Sequence, residues 1–342
     1  MHEREASFYV RGSRGRVTCG LCALRCSIAE GRLGACRVRE NRKGRLITLT
    51  YGMLTSAATD PIEKKPLFHF LPSSLSFSVA TAGCNLACPW CQNHDLSQSP
   101  RRLVPPDRAG AWTPAERIVA SARKAGCTSI SYTYSEPTIF YEYARDIGLL
   151  ARKQGLKNVF VTNGMMTPEV VEDAAAFLDA ANVDLKGATP SFYRKTCKGS
   201  LEAVKESIRG MFKRGIWVEV TTLVIPGHND DEGDLGTIAD FLCGLSPDIP
   251  WHISRFHPDN EWLGLPPTPV ATLRAAAEIG RKAGLRYVYL GNVPGEGLED
   301  THCPSCGSLL VKRFGFRATA SGLVDGVCAA CGARPAGVWT PL

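Results

Sequence analysis

The chain has 342 residues, of which 44% are hydrophobic, 8% are aromatic and 21% are charged, and its formal net charge is +7. This composition is that of an ordinary globular protein, with room for one domain of roughly 200–250 residues and smaller appendages. It excludes a largely disordered chain, and no apolar run reaches the roughly 18 residues that a membrane helix needs. Beyond the first 45 residues the cations are interleaved with Asp and Glu, so the charge is only weak evidence for nucleic-acid binding, which we do not expect.

The N-terminal residues lack an apolar signal core, so we expect a cytoplasmic protein without a membrane anchor. In a reducing compartment, 14 cysteines indicate metal or cluster binding and not disulfides. Most of them fall into three sets: Cys19, Cys22, Cys26 and Cys36; Cys84, Cys88 and Cys91; and Cys303, Cys306, Cys328 and Cys331.

The first set defines a Cys-rich N-terminal module, which we place at residues 1–60, with C-x2-C-x3-C-x9-C spacing. Four cysteines within eighteen residues indicate a metal site, and both structural zinc and an auxiliary iron–sulfur cluster fit the pattern. The surrounding arginines form either a solvated face or a docking patch for an acidic electron donor of the flavodoxin or ferredoxin type: Arg16, Arg25, Arg32, Arg37, Arg39 and Arg42.

Between residues 75 and 292, β-rich runs alternate with amphipathic segments, which predicts parallel strands joined by crossover helices. Four of the helical segments end in cations followed by Gly126, Gly155, Gly215 or Gly284, a typical C-terminal cap. Three helix starts are predicted at Thr-Pro pairs, where threonine would act as the N-cap. The predicted strands are 75–81, 129–134, 158–162, 182–185, 217–225, 251–256 and 286–290.

Six or seven such units predict an α/β fold, a partial (β/α)6-type barrel at residues 61–298. An open, doubly wound sheet is the competing topology, and periodicity does not separate the two. In either case the strands' C-terminal ends meet at one rim, where polar residues follow them: Glu136, Asn163, Asp184, Lys186 and His257.

Directly after the first of these strands, Cys84, Cys88 and Cys91 form a C-x3-C-x2-C array. Four thiolates close a tetrahedral metal site, whereas three thiolates on a four-iron cluster leave one iron open to a substrate. Part of a zinc site or a simple buried turn is the alternative. The position after a strand that opens a βα series favours the cluster.

Residues 299–342 contain two C-x2-C-G knuckles, at Cys303 to Gly307 and at Cys328 to Gly332. This spacing predicts a zinc-ribbon-like module, with iron in a rubredoxin-like site as the alternative. Because a module this small cannot build a large apolar core, the metal is expected to hold it folded.

The segment "CNLACPWC" at residues 84–91 resembles the C-x3-C-x-aromatic-C signature of radical S-adenosylmethionine (SAM) enzymes, with Trp90 at the aromatic position. In that superfamily a [4Fe–4S] cluster binds SAM at its open iron. An electron then cleaves SAM to a 5′-deoxyadenosyl radical, which abstracts hydrogen from a substrate.

Further motifs assign SAM-binding roles by resemblance. "YSEP" is similar to the Gly-Gly-Glu-Pro element that holds the SAM ammonium, which implies this role for Glu136. "VDLKG" and "VIPGHNDD" resemble elements of the pyruvate formate-lyase activating enzymes. This resemblance implies that Asp184 and Lys186 lie near the SAM carboxylate and ribose. It also implies that His257, in "RFHP", lies near the adenosine. We add Asn163 to these candidates. Where an arginine is expected in those activases, this chain has Thr221-Thr222.

Cys197 follows the Asp-Leu-Lys element and is either a small core residue or a radical relay or hydrogen donor. Cys127 and Cys243 flank helices and are expected to be core residues.

Over nearly its full length the chain resembles the AmmeMemoRadiSam-system radical SAM enzymes, which are associated with Memo-type and AMMECR-type partner proteins. The resemblance does not supply a substrate. The leading hypothesis is an enzyme that abstracts hydrogen from a protein, peptide or small molecule. A glycyl-radical-enzyme activase is the first alternative, and a non-catalytic iron–sulfur and zinc scaffold or nucleic-acid binder is the second.

Overall fold

A computed structural model describes residues 4–102, 105–106, 109–293 and 297–340 of the protein. The first three and last two residues of the predicted terminal modules therefore lie outside the described residues, as do residues 103–104, 107–108 and 294–296 of the predicted barrel.

Short antiparallel strands build the N-terminal module: β1 Arg4–Glu5, β2 Tyr9–Arg11, β3 Val17–Cys19, β4 Ser27–Ile28, β5 Arg39–Arg42, β6 Arg45–Thr48 and β7 Met53–Leu54. Strands β1, β6 and β5 form one sheet, and β2, β3 and β4 form another. The β5–β6 hairpin turns at Lys43 and Gly44, which both have a positive φ, as a two-residue type I′ turn requires. The buried side chains of Val17, Val38 and Leu46 belong to the same apolar core as the central sheet.

The central sheet has eight strands in chain order, with β10 (Ala111–Trp112) outside it and paired to β7. Its strands are β8 Ser56–Pro61, β9 Leu75–Ala80, β11 Ser129–Tyr132, β12 Lys157–Thr162, β13 Ala180–Asp184, β14 Trp217–Val224, β15 Trp251–Arg255 and β16 Val288–Gly291. Strands β9 to β16 of the sheet run parallel, and β8 is antiparallel to β9.

The strand order confirms the predicted parallel α/β sheet and excludes the doubly wound alternative. A doubly wound sheet reverses its strand order at a switch point, whereas this order never reverses. The sheet has seven parallel strands, one more than the six of a (β/α)6 barrel. Strand β8 also crosses the module boundary predicted between residues 60 and 61, because its backbone pairs with β9 along its whole length.

The helices of the described residues are α1 His94–Ser97, α2 Ser99–Arg102, α3 Ala115–Lys124, α4 Tyr141–Lys153, α5 Pro168–Ala174, α6 Pro190–Phe192, α7 Leu201–Lys213, α8 Glu232–Leu245 and α9 Val270–Lys282. A π-helical turn, Tyr193–Cys197, continues α6. The four predicted glycine caps are confirmed, since Gly126, Gly155, Gly215 and Gly284 have φ values of 68°, 76°, 75° and 102°.

The predicted position of the threonine cap is confirmed for one helix of the three, since Thr167 is the N-cap residue of α5 and Pro168 follows it, although its side chain makes no capping bond. Helices α3 and α9 begin after Pro114 and Pro269, and neither start has a side-chain cap. The hydroxyls of the three threonines bond to neighbouring segments instead: Thr113 donates to the Ala111 carbonyl (3.2 Å), Thr167 to that of Gly20 (2.7 Å) and Thr268 to that of Val224 (2.6 Å).

The C-terminal module contains β17 Thr301–His302, β18 Leu309–Phe314, β19 Arg317–Thr319, β20 Leu323–Val324 and β21 Val327–Cys328. It packs on the loop between β8 and β9. The amide of Leu71 donates to the Val338 carbonyl, and the amide of Val338 donates to the His69 carbonyl, both at 2.7 Å. Arg313 lies 4.1 Å from the centre of the Phe68 ring and donates to the Phe68 carbonyl.

Within the ranges described above, none of the helices combines the length and the apolarity that crossing a membrane requires.

Candidate functional site

The loop after β9 carries Cys84, Cys88 and Cys91 into the wall of one open cavity of about 260 Å³. Residues at or just beyond the ends of β11, β12, β13, β14 and β15 line the same cavity, so it lies at the carboxyl end of the parallel sheet. This is where the βα loops of a barrel gather, and where the sequence placed the polar rim.

The spacing of the three thiols fits a cluster better than a single zinc ion. Their Sγ atoms do not all lie within 4.8 Å of one another, whereas zinc–sulfur bonds of about 2.3 Å hold tetrahedral thiolates about 3.8 Å apart. A four-iron cluster binds each thiolate at a different iron and so spreads them further. Among the described residues lining the cavity there is no fourth cysteine and no histidine, so the protein provides three sulfur ligands.

The thiols lie in an environment that disfavours their bare anions. Burial raises the pKa of Cys84 and of Cys91, and a hydrogen bond with the Cys197 thiol, together with burial, raises that of Cys88. Three such anions side by side require a strongly positive partner, which a bound iron cluster supplies. The donor set therefore fits a [4Fe–4S] cluster.

Glu136 is buried at the cavity wall and accepts four hydrogen bonds. Its Oε1 accepts from the amide and hydroxyl of Thr138 (3.0 and 2.6 Å) and from the hydroxyl of Thr162 (2.6 Å), and its Oε2 accepts from the amide of Asn163 (2.8 Å). Burial raises its pKa despite these donors. Because Oε2 has one donor and two lone pairs, it can still accept from a ligand.

Asn163 connects Glu136 to the cysteine loop. Its Nδ2 donates to Asn85 Oδ1 at 2.7 Å and lies 3.6 Å from Cys84 Sγ, while its Oδ1 accepts from the amide of Met165. The side chain is therefore positioned to fix the orientation of Cys84.

Asp184 and Lys186 form an ion pair of 2.8 Å at the end of β13. Burial lowers the pKa of Lys186, but Asp184 and the Cys88 thiol outweigh it and hold this pKa well above its ordinary value. The ammonium therefore stays charged beside the cysteine loop.

The structure separates the two remaining predicted residues from the cavity surface. Cys197 is fully buried behind the cysteine loop, where its carbonyl accepts from the amide of Ala87 and its thiol contacts that of Cys88. His257 is exposed and does not line the cavity, whereas Ser254, three residues earlier on β15, does. The proposed roles of Cys197 and His257 stay predictions.

Several cavity residues were missed by sequence reasoning. Ser97 Oγ lies 3.2 Å from Cys91 Sγ, and Gln98 donates to the Cys88 carbonyl at 3.1 Å. Ser135 Oγ is buried without a partner among the described residues, as expected of a group that faces a ligand. The nearness of Ser97 and Gln98 to Cys91 in sequence was the only available signal.

Trp90, the predicted aromatic of the cysteine motif, begins an aromatic row at the cavity. Its ring stacks on Phe192 with centroids 5.7 Å apart and packs against Trp262 at 4.9 Å, and His228 stacks on Trp262 at 4.2 Å.

The two outer cysteine sets also assemble. In the C-terminal module all four Sγ atoms lie within 4.8 Å of one another, and the pairs Cys303–Cys331 and Cys306–Cys328 are each 3.7 Å apart. This is the spacing of a tetrahedral tetrathiolate metal site. The four N-terminal cysteines line one buried cavity.

Residues 78–237 match the family model of the radical SAM superfamily. The chain therefore contains a radical SAM superfamily domain, which is consistent with an enzyme of the activating-enzyme-like oxidoreductase kind. Membership implies a [4Fe–4S] cluster and SAM, which agrees with the sulfur donors of the cavity.

Among its relatives is an uncharacterized protein of Methanocaldococcus jannaschii, 46% identical over 316 residues, which cover 92% of this chain and 93% of the relative. Another protein of that organism, provisionally named a glycyl-radical enzyme activating enzyme, is 25% identical over 235 residues, or 65% of this chain and 89% of the relative. A solved domain of pyruvate-formate lyase-activating enzyme from Bacteroides vulgatus is 20% identical, covers 48% of this chain and 99% of that domain, and gives a TM-score of 0.43.

Proposed function

We propose that this protein cleaves SAM reductively at a cluster held by Cys84, Cys88 and Cys91, and uses the product to abstract hydrogen from a substrate. The bound cluster and SAM supply the electron and the 5′-deoxyadenosyl radical of this chemistry. The observation that carries the proposal is a cavity wall at the carboxyl end of a parallel sheet, where the described residues provide three sulfur ligands and no fourth.

The chain's own residues would bind and orient SAM. Lys186 presents a positive charge for a carboxylate or a ribose hydroxyl, and Asp184 limits its movement. Glu136 Oε2 keeps a lone pair for an ammonium group, and Asn163 holds the cysteine loop against it. Trp90 lines the cavity and gives it an apolar wall, which the rings of Phe192 and Trp262 support by packing against it.

The substrate is proposed as a protein, a peptide or a small molecule. The arrangement of motifs supports membership of the AmmeMemoRadiSam system, in which Memo-type and AMMECR-type proteins would be partners. The C-terminal tetrathiolate site supports a zinc-ribbon-like module in that architecture.

Activation of a glycyl-radical enzyme is the second candidate, and the relative provisionally named as such an activase favours it. The Thr221-Thr222 pair differs from the arginine expected there. Thr221 lines the cavity, while Thr222 donates to the Leu185 carbonyl at 2.9 Å and so supports the loop of Lys186.

We propose that a flavodoxin- or ferredoxin-like donor docks beside the cysteine loops. A surface groove there is lined by Arg32, Arg37 and Arg101, which suits an acidic partner. Arg39, counted among the docking arginines from sequence, is instead buried against Glu142. All 14 cysteines are free in the structure, so each of the three cysteine sets keeps its thiols for a metal or cluster.

The test uses the full chain, reconstituted anaerobically with iron and sulfide and given SAM and dithionite. The unchanged protein is expected to release 5′-deoxyadenosine, and Cys88→Ala is expected to lose this activity while the remaining metal sites stay loaded. Cys243→Ala is the matched control, since this cysteine lies on α8, lines neither cysteine cavity and is not part of the C-terminal tetrathiolate group.

Absence of 5′-deoxyadenosine from fully reconstituted protein would favour the non-catalytic scaffold instead. Deuterium transfer from a co-purified substrate into 5′-deoxyadenosine would identify the hydrogen donor and separate a glycyl-radical enzyme from other substrates.

A further inference from the structure

The N-terminal cysteines surround a buried, mainly apolar cavity that lies between the module and the sheet. Cys19 ends β3, Cys22 forms a backbone bridge with Met166, Cys26 precedes β4, and Cys36 lies in the loop before β5. Four sulfur ligands therefore face one space, and its other walls are mostly aliphatic side chains: Leu21, Leu24, Ile28 and Ile139.

The spacing of these thiols differs from that of the C-terminal set. No three of their Sγ atoms lie within 4.8 Å of one another, although all four side chains are among the described residues, whereas the four C-terminal Sγ atoms meet that limit together. A single zinc ion needs thiolates about 3.8 Å apart. A cuboidal iron–sulfur cluster holds its thiolates about 6 Å apart, because each binds a different iron.

A second observation points to a ligand in this space. Arg39 lines the cavity and is only 1% exposed. Its two Nη groups donate to the Glu142 carboxylate, at 3.0 and 2.5 Å. Its Nε is buried without a partner among the described residues. A buried N–H without an acceptor is costly, and sulfur atoms of a bound cluster would accept from it.

The cysteine loops of the N-terminal module contact the loop that carries Cys84, Cys88 and Cys91 at the proposed SAM site. Gly83, which directly precedes Cys84, packs so closely that a Cβ added there would lie 2.7 Å from Val38 Cγ1 and 3.5 Å from the Cys36 carbonyl oxygen. Arg101 donates to the carbonyls of both Ala35 and Cys84, at 3.3 and 3.1 Å. The two cysteine sets are thus held together by direct contacts.

We propose that Cys19, Cys22, Cys26 and Cys36 bind a second, polynuclear iron–sulfur cluster, and not zinc, next to the cluster of the SAM site. This second cluster would have its own ligand set and would bind whether or not the protein cleaves SAM.

The test removes the SAM-site ligands so that only the outer sets remain. The full chain carrying Cys84→Ala, Cys88→Ala and Cys91→Ala is reconstituted anaerobically, and its iron, acid-labile sulfide and zinc are measured. It is expected to keep iron and sulfide in equal amounts, about four irons per chain for a cuboidal cluster, with about one zinc ion in the C-terminal set. A variant that holds about two zinc ions and no sulfide would overturn the proposal.

A complementary variant covers the case in which the triple variant does not fold. Cys36→Ala in the otherwise unchanged chain is expected to halve the iron and sulfide, whereas Cys243→Ala is expected to leave both unchanged. After reduction, the unchanged protein is expected to give an electron paramagnetic resonance signal broadened by two neighbouring spins, and Cys36→Ala a narrow one. Equal iron content and identical spectra in the unchanged protein and Cys36→Ala would contradict the second cluster.

Discussion

Among the described residues that line the cavity of Cys84, Cys88 and Cys91, which is the proposed SAM site, Lys186 is the only cation. Its ammonium has Asp184 on one side and the cysteine loop on the other, and its own amide donates to the Tyr193 hydroxyl at 2.9 Å. Asn229 further fixes this loop by donating to the Lys186 carbonyl at 2.8 Å. The position of the charge is therefore determined by the backbone as well as by the ion pair.

Replacing Lys186 by Met is expected to weaken SAM binding about tenfold or more, because a charge-assisted hydrogen bond contributes roughly 1.5–3 kcal/mol. The measurement is equilibrium binding of SAM to reconstituted protein at equal iron content. Lys213→Met, on the exposed surface of α7, is the control and is expected to bind SAM normally. Equal affinity of both variants would remove Lys186 from the SAM site.

His69 is a buried titratable group far from the SAM site. Its Nδ1 lies 2.7 Å from the Ala336 carbonyl oxygen and its Nε2 lies 2.5 Å from the Tyr289 hydroxyl, so a neutral ring donates to the first and accepts from the second. Burial lowers the pKa of His69 from 6.5 to about 4, although Glu219 acts in the opposite direction. Protonation would remove the acceptor that Tyr289 uses.

The lowered pKa predicts acid sensitivity with a definite sign. The unfolded chain takes up the proton near pH 6.5 and the folded chain only near pH 4, so stability is complete above pH 6.5 and falls between these values, by up to about 3 kcal/mol. The free energy of unfolding, measured from pH 7.5 to 4, would report this. His69→Gln, which does not titrate, is expected to show a shallower slope in this window. Parallel slopes would show that other groups cause the acid loss.

At the scale of elements, the sequence predicted the strands that carry strong β-formers. Every predicted strand of the parallel sheet is present, with ends that differ by at most two residues, because alternation and glycine stops mark it. Strand β8 was missed because "SAATDP" has few β-formers and gains its pairing only from β9. The two- to four-residue strands of the N-terminal module are likewise defined by tertiary pairing.

The residues of the candidate site were likewise predictable from sequence where they directly follow a strand. The thiols and Glu136, Asn163, Asp184 and Lys186 came together as expected, because they follow the ends of parallel strands. Ser254 lines the cavity and His257 does not, since the chain leaves β15 at Arg255 and the loop path then decides which side chains face inward. Such a path depends on packing that a single sequence does not display.

The C-terminal module is expected to depend on its metal. Its own core consists of few buried residues, so four thiols held within 4.8 Å of one another must supply much of its stability. Removing the metal with a thiol-modifying reagent and a chelator is expected to release about one zinc ion per chain and to unfold residues 301–339. Hydrogen exchange should then rise in β17 to β21 while β11 to β14 stay protected. Unchanged exchange in β18 would contradict a structural role for the metal.

At the scale of the whole molecule, the N-terminal module and the sheet share one apolar core. Val17, Val38 and Leu46 pack in the same apolar cluster as Ile139 and Ile147 of the first βα units. A buried ion pair crosses the same boundary, with Arg39 on β5 and Glu142 on α4 exposed by only 1% and 3%. The two parts are therefore expected to unfold in a single transition.

Replacing only Glu142 of this ion pair tests whether the N-terminal module and the sheet unfold together. Glu142→Gln leaves the Arg39 guanidinium buried without its counter-charge, so a loss of about 3–5 kcal/mol is expected, and adding Arg39→Met should recover part of it. The exposed pair Arg45–Glu5 is the control, because solvent screens this pair and Glu5→Gln should leave the free energy of unfolding almost unchanged. Urea unfolding followed by both tryptophan fluorescence and circular dichroism measures these values. If the module were independent of the sheet, Glu142→Gln would split the curve into two transitions, whereas a shared core shifts one transition as a whole.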